Sequence, residues 1–337
     1  MPRITPEQLA ALSRIRGSAK EADYLRKVDA RRRGTATNII NPAEVKGEYD
    51  AGRLLLTTLN GDLRPITQDD LATFRKNVKA VGNRLKKGLT AQQIINLSRA
   101  EDRERANKQI HLAVPAGSNK GVIRFLTNAS QDSNVSRHHV TVDVVNYEAA
   151  VASPTDPKKL ALWLVKESPL KYDCDCGRHT YWYRYITTIG GFNAGRAENG
   201  FPKIKNPNLS GVACKHVLRV MHEISKNLAI RGVIEKMIDR GQKGAIKNSG
   251  VITQAKAEEI AKMQKARKRE IESAAEAKKK AARKGVIKPA AEKIASRKKI
   301  KDAEQALYNA QLNLRKLKEQ GHISQADFDI LISRTKG

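Results

Sequence analysis

The chain has 337 residues, with 64 Lys/Arg against 35 Asp/Glu for a formal charge of +29, 40% hydrophobic residues and only 4% aromatic ones. That length allows two domains, or one domain with long extensions, and the apolar content is slightly low for a single globule. The basic excess is spread evenly, 25 Lys/Arg against 16 Asp/Glu in residues 1–150, 17 against 8 in 151–250 and 22 against 11 in 251–337, which excludes an acidic-to-neutral enzyme with a basic tail and points to polyanions, with solubility or an acidic protein partner as the alternative.

No N-terminal apolar segment of signal-peptide type and no run of 18 apolar residues occurs, so neither a cleaved leader nor a membrane span is expected. Residues 1–34 read as a helical arm. Thr5-Pro6-Glu7-Gln8 is a helix start, and Leu9, Leu12 and Ile15 make a short apolar stripe. The arm ends at Arg31, Arg32 and Arg33, either a solvated helix end or a phosphate contact. Residues 35–115 read as a helical domain that opens with turns at Asn41-Pro42, Gly52, Asn60-Gly61 and Pro65 and a short strand at Leu54-Leu55-Leu56. From Thr67 onward Leu71, Phe74, Val78, Val81 and Leu85 recur at helical spacing. Thr90 with Gln93 and Ser98 with Glu101 look like two capping boxes, predicting helices over 91–97 and 99–109. A helix-turn-helix reader is not indicated, because stacked helices close many α-rich domains and no recognition helix stands out.

Residues 116–240 read as an α+β domain. Val122–Leu126 and the alternating Val140, Val142 and Val144 predict two strands; His138 and His139, opening the second, read as surface or cross-strand residues. Residues 157–167 predict a helix, and Lys171–Asp173 a strand. Tyr181, Tyr183 and Tyr185 alternate with Trp182, Arg184 and Ile186 and predict another strand. That run has the aromatic and basic mix used to stack bases, but core packing is the preferred reading, since eight of the fifteen aromatics fall between Trp163 and Phe201. Residues 190–211 are a turn-rich spacer without the Lys-Ser/Thr of a phosphate loop. An apolar-periodic helix begins near residue 215 and runs, with a break, to Ile238. His222-Glu223 does not complete a zinc-protease motif, because position 226 is Lys.

All three cysteines lie in this domain, as Cys174-Asp175-Cys176 and, with 37 residues between, Cys214-Lys215-His216. Three cysteines cannot all pair, which suits a reducing compartment. Cys3His is a common tetrahedral set for structural zinc. Residues i and i+2 of an extended chain share a face, so one strand or hairpin can aim Cys174 and Cys176 at one ion. Cys214 is placed just before the helix and His216 in its first turn. A closed shell of Cys174, Cys176, Cys214 and His216 leaves no position for a substrate water and favours a structural site. His179 and His222 are nearby rivals; His179 reads as a turn or partner residue and His222 as lying along the helix. Loss of the metal is expected to melt residues 170–225 and to spare the helices of 67–109.

Residues 241–337 read as a basic helical extension. Lys278, Lys279, Lys280, Arg297, Lys298 and Lys299 are candidate phosphate contacts or solvated helix faces, and Gly285 and Pro289 are expected to break the segment. Ile300, Ala303, Leu307, Ala310, Leu314 and Leu317 follow coiled-coil spacing. Gly321 is a C-cap candidate. Ser324 with Asp327 predicts a last helix over 325–333 that folds back as a hairpin.

The pattern C-x-C, spacer, C-x-H at Cys174, Cys176, Cys214 and His216 resembles the SWIM-type zinc finger, with a longer spacer than that family's. The fuller string of Cys-Asp-Cys-Gly-Arg-His, Tyr-Trp-Tyr-Arg-Tyr, Gly-Phe-Pro-Lys-Ile-Lys-Asn-Pro and Cys-Lys-His-Val-Leu, over about residues 120–225, is similar to uncharacterised proteins of tailed phages. Together they imply an α+β fold with a small zinc-braced ββα core (170–225), N-terminal helices and a long basic C-terminal extension. They imply a non-enzymatic virion component, at the head, neck or tail, assembled in a host cytoplasm. Its partners would be other virion proteins or copies of itself, with nucleic acid reached through non-specific phosphate contacts and no membrane or small-molecule substrate. A free SWIM-type nucleic-acid-binding factor is the alternative. No carboxylate pair, nucleophile–base set or phosphate loop stands at a recognisable spacing for an enzyme.

Overall fold

The computed structural model describes residue 40 and residues 55–86, 88–131, 133, 135–244, 249–266 and 270–334. The predicted arm with Arg31, Arg32 and Arg33 lies outside them, as does all of 35–54 but Ile40. The chain divides into two compact units, up to Ser273 and from Ala274. Helices dominate, and the strands are confined to small sheets in the first unit.

That unit is organised on a five-stranded antiparallel sheet of order β6-β5-β4-β3-β7. Its strands are β3 (Ala113–Asn119), β4 (Val122–Asn128), β5 (Arg137–Val144), β6 (Leu170–Cys174) and β7 (Ser249–Val251). The predicted strands are β4, β5 and β6, where alternation buries Ile123, Phe125, Val140, Val142, Leu170 and Tyr172. β3 and β7 are not legible in the sequence. β3 contains Pro115 and Gly117, which read as loop, and it tolerates them through a register shift between those two residues. Lys120 and Gly121, both at positive φ, make the two-residue turn into β4. A small β1 (Leu56–Thr57) and β2 (Arg64–Pro65) pair separately.

Helices α1 (Gln68–Leu85), α2 (Ala91–Leu97) and α3 (Ala100–Gln109) lie where periodicity puts them. Thr67 and Asp70 form a reciprocal capping box at α1. The Arg64 guanidinium, bonded to both Asp70 oxygens at 2.6 and 2.8 Å, holds that carboxyl at about 2. The Thr90–Gln93 box is present at α2. Ser98 does not cap α3: its hydroxyl bonds back to the Ile94 carbonyl at 2.7 Å, and Arg99 stands at the N-cap without a side-chain bond. α4 (Tyr147–Ala152) and α5 (Pro157–Glu167) cross over between β5 and β6, with Asp156 capping α5.

The predicted strand at Tyr181–Tyr185 is helical. Residues 177–189 form one helical run, with a π turn at His179–Tyr183 that passes into α6 (Arg184–Ile189). Burial follows His179, Tyr183, Ile186 and Thr187, a helical pattern that the alternating tyrosines disguise. The winding is set by Asp102, fully buried on α3. Asp102 accepts two hydrogen bonds from Arg178, at 3.1 and 3.0 Å, and one from the Tyr183 hydroxyl. Arg178 also stacks over Trp182, 3.4 Å from the ring centre.

α7 (Lys215–Lys226) and α8 (Leu228–Gln242) are the predicted broken helix, with Asn227 capping α8. α7 packs on strands β3 to β6 and on helices α2 and α3, and its residues from Lys215 to Ile224 are all buried. Its two buried cations meet one helix end. Arg219 donates to the carbonyl of Ile110 at 2.8 Å and to that of Ala106, and Lys215 reaches Gln109 at 2.7 Å, all at the C-terminus of α3. The helices of 67–109 therefore share a core with the cysteine stretch and do not stand apart from it.

The spacer after α6 is held rather than loose. Ile40 and Phe201 exchange backbone bonds, Thr57 and Thr58 bond the Lys203 and Ile204 carbonyls, and Phe74 meets Phe201 at 4.4 Å. Gly211, at φ +72, allows a close turn; a Cβ there would lie 2.8 Å from the Arg99 side chain. β7 and α9 (Gln254–Ala266) complete this unit, where Gln264 bonds both backbone groups of Ala113.

The second unit is α10 (Ala274–Glu319) and α11 (Gln325–Arg334), packed on each other. α10 runs through Gly285 and Pro289, where the sequence predicts a break. A proline inside a helix removes one backbone donor. The flanking Ala, Lys and Glu favour the helix. Gly321, at φ +76, ends α10, and Ser324 and Asp327 cap α11, as the sequence indicates.

Replacing Asp102 by Ala would leave the Arg178 charge and the Tyr183 hydroxyl without their buried partner. The expected cost is about 3 kcal/mol or more, read as a lowered urea midpoint, with Asp102→Asn costing less. A midpoint for Asp102→Ala equal to that of the parent would mean that α3 and the π turn are not joined by this contact.

Candidate metal centre

Cys174 ends β6 and Cys176 lies two residues past it, immediately before the helical run of 177–189. Cys214 is the N-cap of α7 and His216 lies in that helix's first turn. The donors thus come from a strand end and the N-termini of two helical runs. That is not the two strands and one helix expected of the finger, because the second ribbon is wound as a helix.

One donor atom from each of Cys174, Cys176, Cys214 and His216 lies within 4.8 Å of the other three, and all four residues are buried. No cysteine is in a disulfide. His216 turns Nδ1 toward Cys174 Sγ, 3.9 Å away, while its Nε2 is buried with no hydrogen-bond partner among the described residues. Metal–sulfur bonds of about 2.3 Å in a tetrahedron put sulfurs about 3.8 Å apart, so the gathering needs little further movement to close on an ion. Three soft sulfurs and an imidazole fit a tetrahedral metal of the zinc type.

The electrostatics agree. Hydrogen bonds from the Cys174 and Cys214 thiols hold the Cys176 thiol far below its ordinary pKa, and burial pushes Cys174 and Cys214 well above theirs. Burial also lowers His216, which favours the neutral imidazole that a metal needs. A divalent cation would supply the charge that three thiolates gathered in a buried site need. Each helix start contributes as well. The His179 amide donates to Cys176 Sγ at 3.4 Å, and the Val217 amide favours the Cys214 thiolate.

The sequence places His138 and His139 at the surface or across a strand pair, and the structure gives them a role beside the centre. Asp175, between the two cysteines, accepts from His138 Nδ1 at 2.7 Å and lies 2.9 Å from His139 Nδ1. The His138 ring packs on the His216 ring with centres 4.3 Å apart. A signal for this exists in the sequence: Asp175 must point away from the face that its flanking cysteines share. β5 then pairs with β6 so that Val140 opposes Cys174. The rival His179 is buried with Nε2 3.1 Å from Asp173, and His222 is buried on α7 beside Glu223; neither joins the donor group.

The sequence-predicted cations are elsewhere. Lys278, Lys279, Lys280, Lys298 and Lys299 are exposed on α10; Arg297 is on the same helix, its side chain outside the described residues, like Arg31, Arg32 and Arg33. Among the described residues, no helix is long and apolar enough to cross a membrane.

Binding a structural metal of this kind is worth about 10–16 kcal/mol, as much as the whole stability of a typical domain. Chelation, or Cys214→Ser, is therefore expected to strip amide-exchange protection from α7 and α3 together, since Arg219 and Lys215 tie them. A cobalt-loaded sample is expected to show the intense visible bands of tetrahedral thiolate coordination. Protection in α3 that outlasts metal removal would place α3 in a separate folding unit. No family model matches the chain, and neither a curated protein nor a solved structure matches it.

Proposed function

We propose that the chain is a non-enzymatic, zinc-stabilised structural protein of a tailed-phage virion, a head, neck or tail component that docks on neighbouring proteins and lies near DNA. The observation that carries the reading is the burial of all four donors. A tetrahedron filled by Cys174, Cys176, Cys214 and His216 inside the protein offers no coordination site to a substrate, so the ion's work is to hold the fold. The virion setting is supported by the resemblance of residues 120–225 to tailed-phage proteins.

Proximity to DNA is supported by charge. Residues 278–300 hold ten Lys/Arg and one Asp/Glu, all within α10. A solvated helix of that composition attracts a phosphate backbone by counterion release, without reading bases. The same stretch favours the second reading, a free nucleic-acid-binding factor.

Two measurements separate the readings. In purified particles of the encoding phage the virion reading expects the chain at fixed stoichiometry, resistant to salt washing; absence from the particle overturns it. For duplex binding, replacing Lys278, Lys279 and Lys280 by Ala is expected to reduce the slope of log affinity against log salt by about 2–3, near 0.9 for each phosphate no longer neutralised. An unchanged slope would remove this stretch from any DNA interface.

A further inference from the structure

The cations of α1 face water, unlike those that complete a buried helix end. Leu71, Phe74, Val81 and Leu85 bury one side of this helix. The other side exposes Lys76, Lys79, Asn83 and Lys86, with Arg75 and Arg84 exposed to either side of them. At 3.6 residues per turn those four fall within an arc of about 80°, and Lys76 to Lys86 covers about 15 Å of helix. The stripe is carried on a rigid support. Thr67 and Asp70 cap the start of α1, Phe74 packs on Phe201, and Asn77 donates to the Pro207 carbonyl at 3.3 Å.

Acid is scarce around it among the described residues. Residues 71–100 hold seven Lys/Arg and no Asp or Glu, so no lysine of the stripe has an acid three or four places away within α1. Asp69 and Asp70 are confined to the first turn, where Arg64 takes Asp70. The spacer that packs against α1 at Phe201 and Pro207 belongs to residues 176–222, which hold seven Lys/Arg and one acid, Glu198, and that acid is buried. Beyond the C-terminus of α1, Pro169 meets Gly88, and there the exposed Lys166 and Glu167 offset each other.

Two arguments identify the ligand. The helix dipole favours cations only in the last turn, and Lys76 and Lys79 stand in the middle of α1, so the stripe is not explained by the helix's own stability. A protein partner is poorly served by this face, since interface cores are apolar and depleted in lysine and no large apolar side chain is exposed between Gln68 and Leu85. A phosphate backbone needs no apolar contact. It takes lysines as point charges and amides as hydrogen-bond donors.

We infer that the stripe of Lys76, Lys79, Asn83 and Lys86 on α1 is a phosphate-binding face, its ligand the backbone of duplex DNA. The inference rests on the reading of the chain as a component that lies near DNA, and it adds a contact in the first unit to the basic stretch of α10.

The test is the salt dependence of binding of the full-length, metal-loaded chain to a duplex of mixed sequence, by fluorescence anisotropy between about 50 and 200 mM salt. Lys76→Ala with Lys79→Ala and Lys86→Ala is expected to reduce the slope of log affinity against log salt by about 2–3, near 0.9 for each phosphate no longer neutralised. Alanine favours a solvated helix, so metal content is expected to stay unchanged; if it does not, Lys76→Gln with Lys79→Gln and Lys86→Gln carries the same expectation. Arginine at the same three positions is expected to keep the slope. The control removes three exposed lysines that stand among Glu235 and Asp239 instead: Lys226→Ala with Lys236→Ala and Lys243→Ala is expected to leave the slope as it is. No measurable binding of the parent to duplex, an unchanged slope for the α1 variant, or an equal fall for the control overturns the inference. A slope that falls as expected in a chain absent from particles sinks the virion reading alone, and an unchanged slope in a chain present in particles sinks this inference alone.

Discussion

Everything in the first unit depends on the first turn of α7 being held where it is. That turn carries Cys214 and His216, and the helix behind it is buried from Lys215 to Ile224. A helix buried on all sides has no solvated face to receive its polar groups, so each needs an internal partner. The metal donors account for two residues, and the C-terminus of α3 accounts for Lys215 and Arg219. Fixing the turn thus fixes the sheet beneath and the α2–α3 pair at once. The cluster of Cys174, Cys176, Cys214 and His216 is the point at which strand, π turn and central helix meet.

Cations do two unlike jobs in this chain. Some are internal. Arg219 on α3, Arg103 on the carbonyls of Ile95 and Ser98 at the end of α2, and Arg178 on Asp102 each complete a buried polar group. An unpaired carbonyl at a buried helix end costs about as much as a missing hydrogen bond, and a long guanidinium stem is the means by which one helix reaches the end of another. Others, as over residues 278–300 of α10, are balanced by almost no acid. Net charge alone overstates the second group by counting the first.

The donor set was legible because its chemistry is local: two pairs at fixed spacing use every cysteine in the chain. Thr67 and Thr90 at the helix starts, the valines of β5 and the Ser324 cap were legible for the same reason, since each signal lies within a few residues of its effect. What stayed hidden depends on distant partners. The Tyr181–Tyr185 run alternates like a strand, and only Asp102, about eighty residues earlier, shows why it winds as a π turn instead. β3 carries Pro115 and Gly117 and is a strand because β4 and β7 pair with it on either side. Ser98 matches a capping motif, yet the Ile94 carbonyl competes for its hydroxyl. His138 reads as a surface or cross-strand residue, and only the pairing of β5 with β6 identifies its partner as Asp175.

The spacer between Cys176 and Cys214 is where these lessons meet. A long loop rich in Gly and Pro suggests a segment that waits for a partner, but the partners it finds are in its own chain. Phe201 is closed over by Ile40 and Phe74. Asn206 bonds the backbone of Trp182 and Ser210 and receives the Ser210 amide. Loop length between ligands is therefore set by how far the chain must travel, not by how much of it is free. The strand end and the α7 N-terminus approach the cluster from different elements, and the chain between them has to wind the π turn, pass under α1 and return. A short spacer could not make that circuit, so the length of this one follows from the path the chain takes between its two donor pairs.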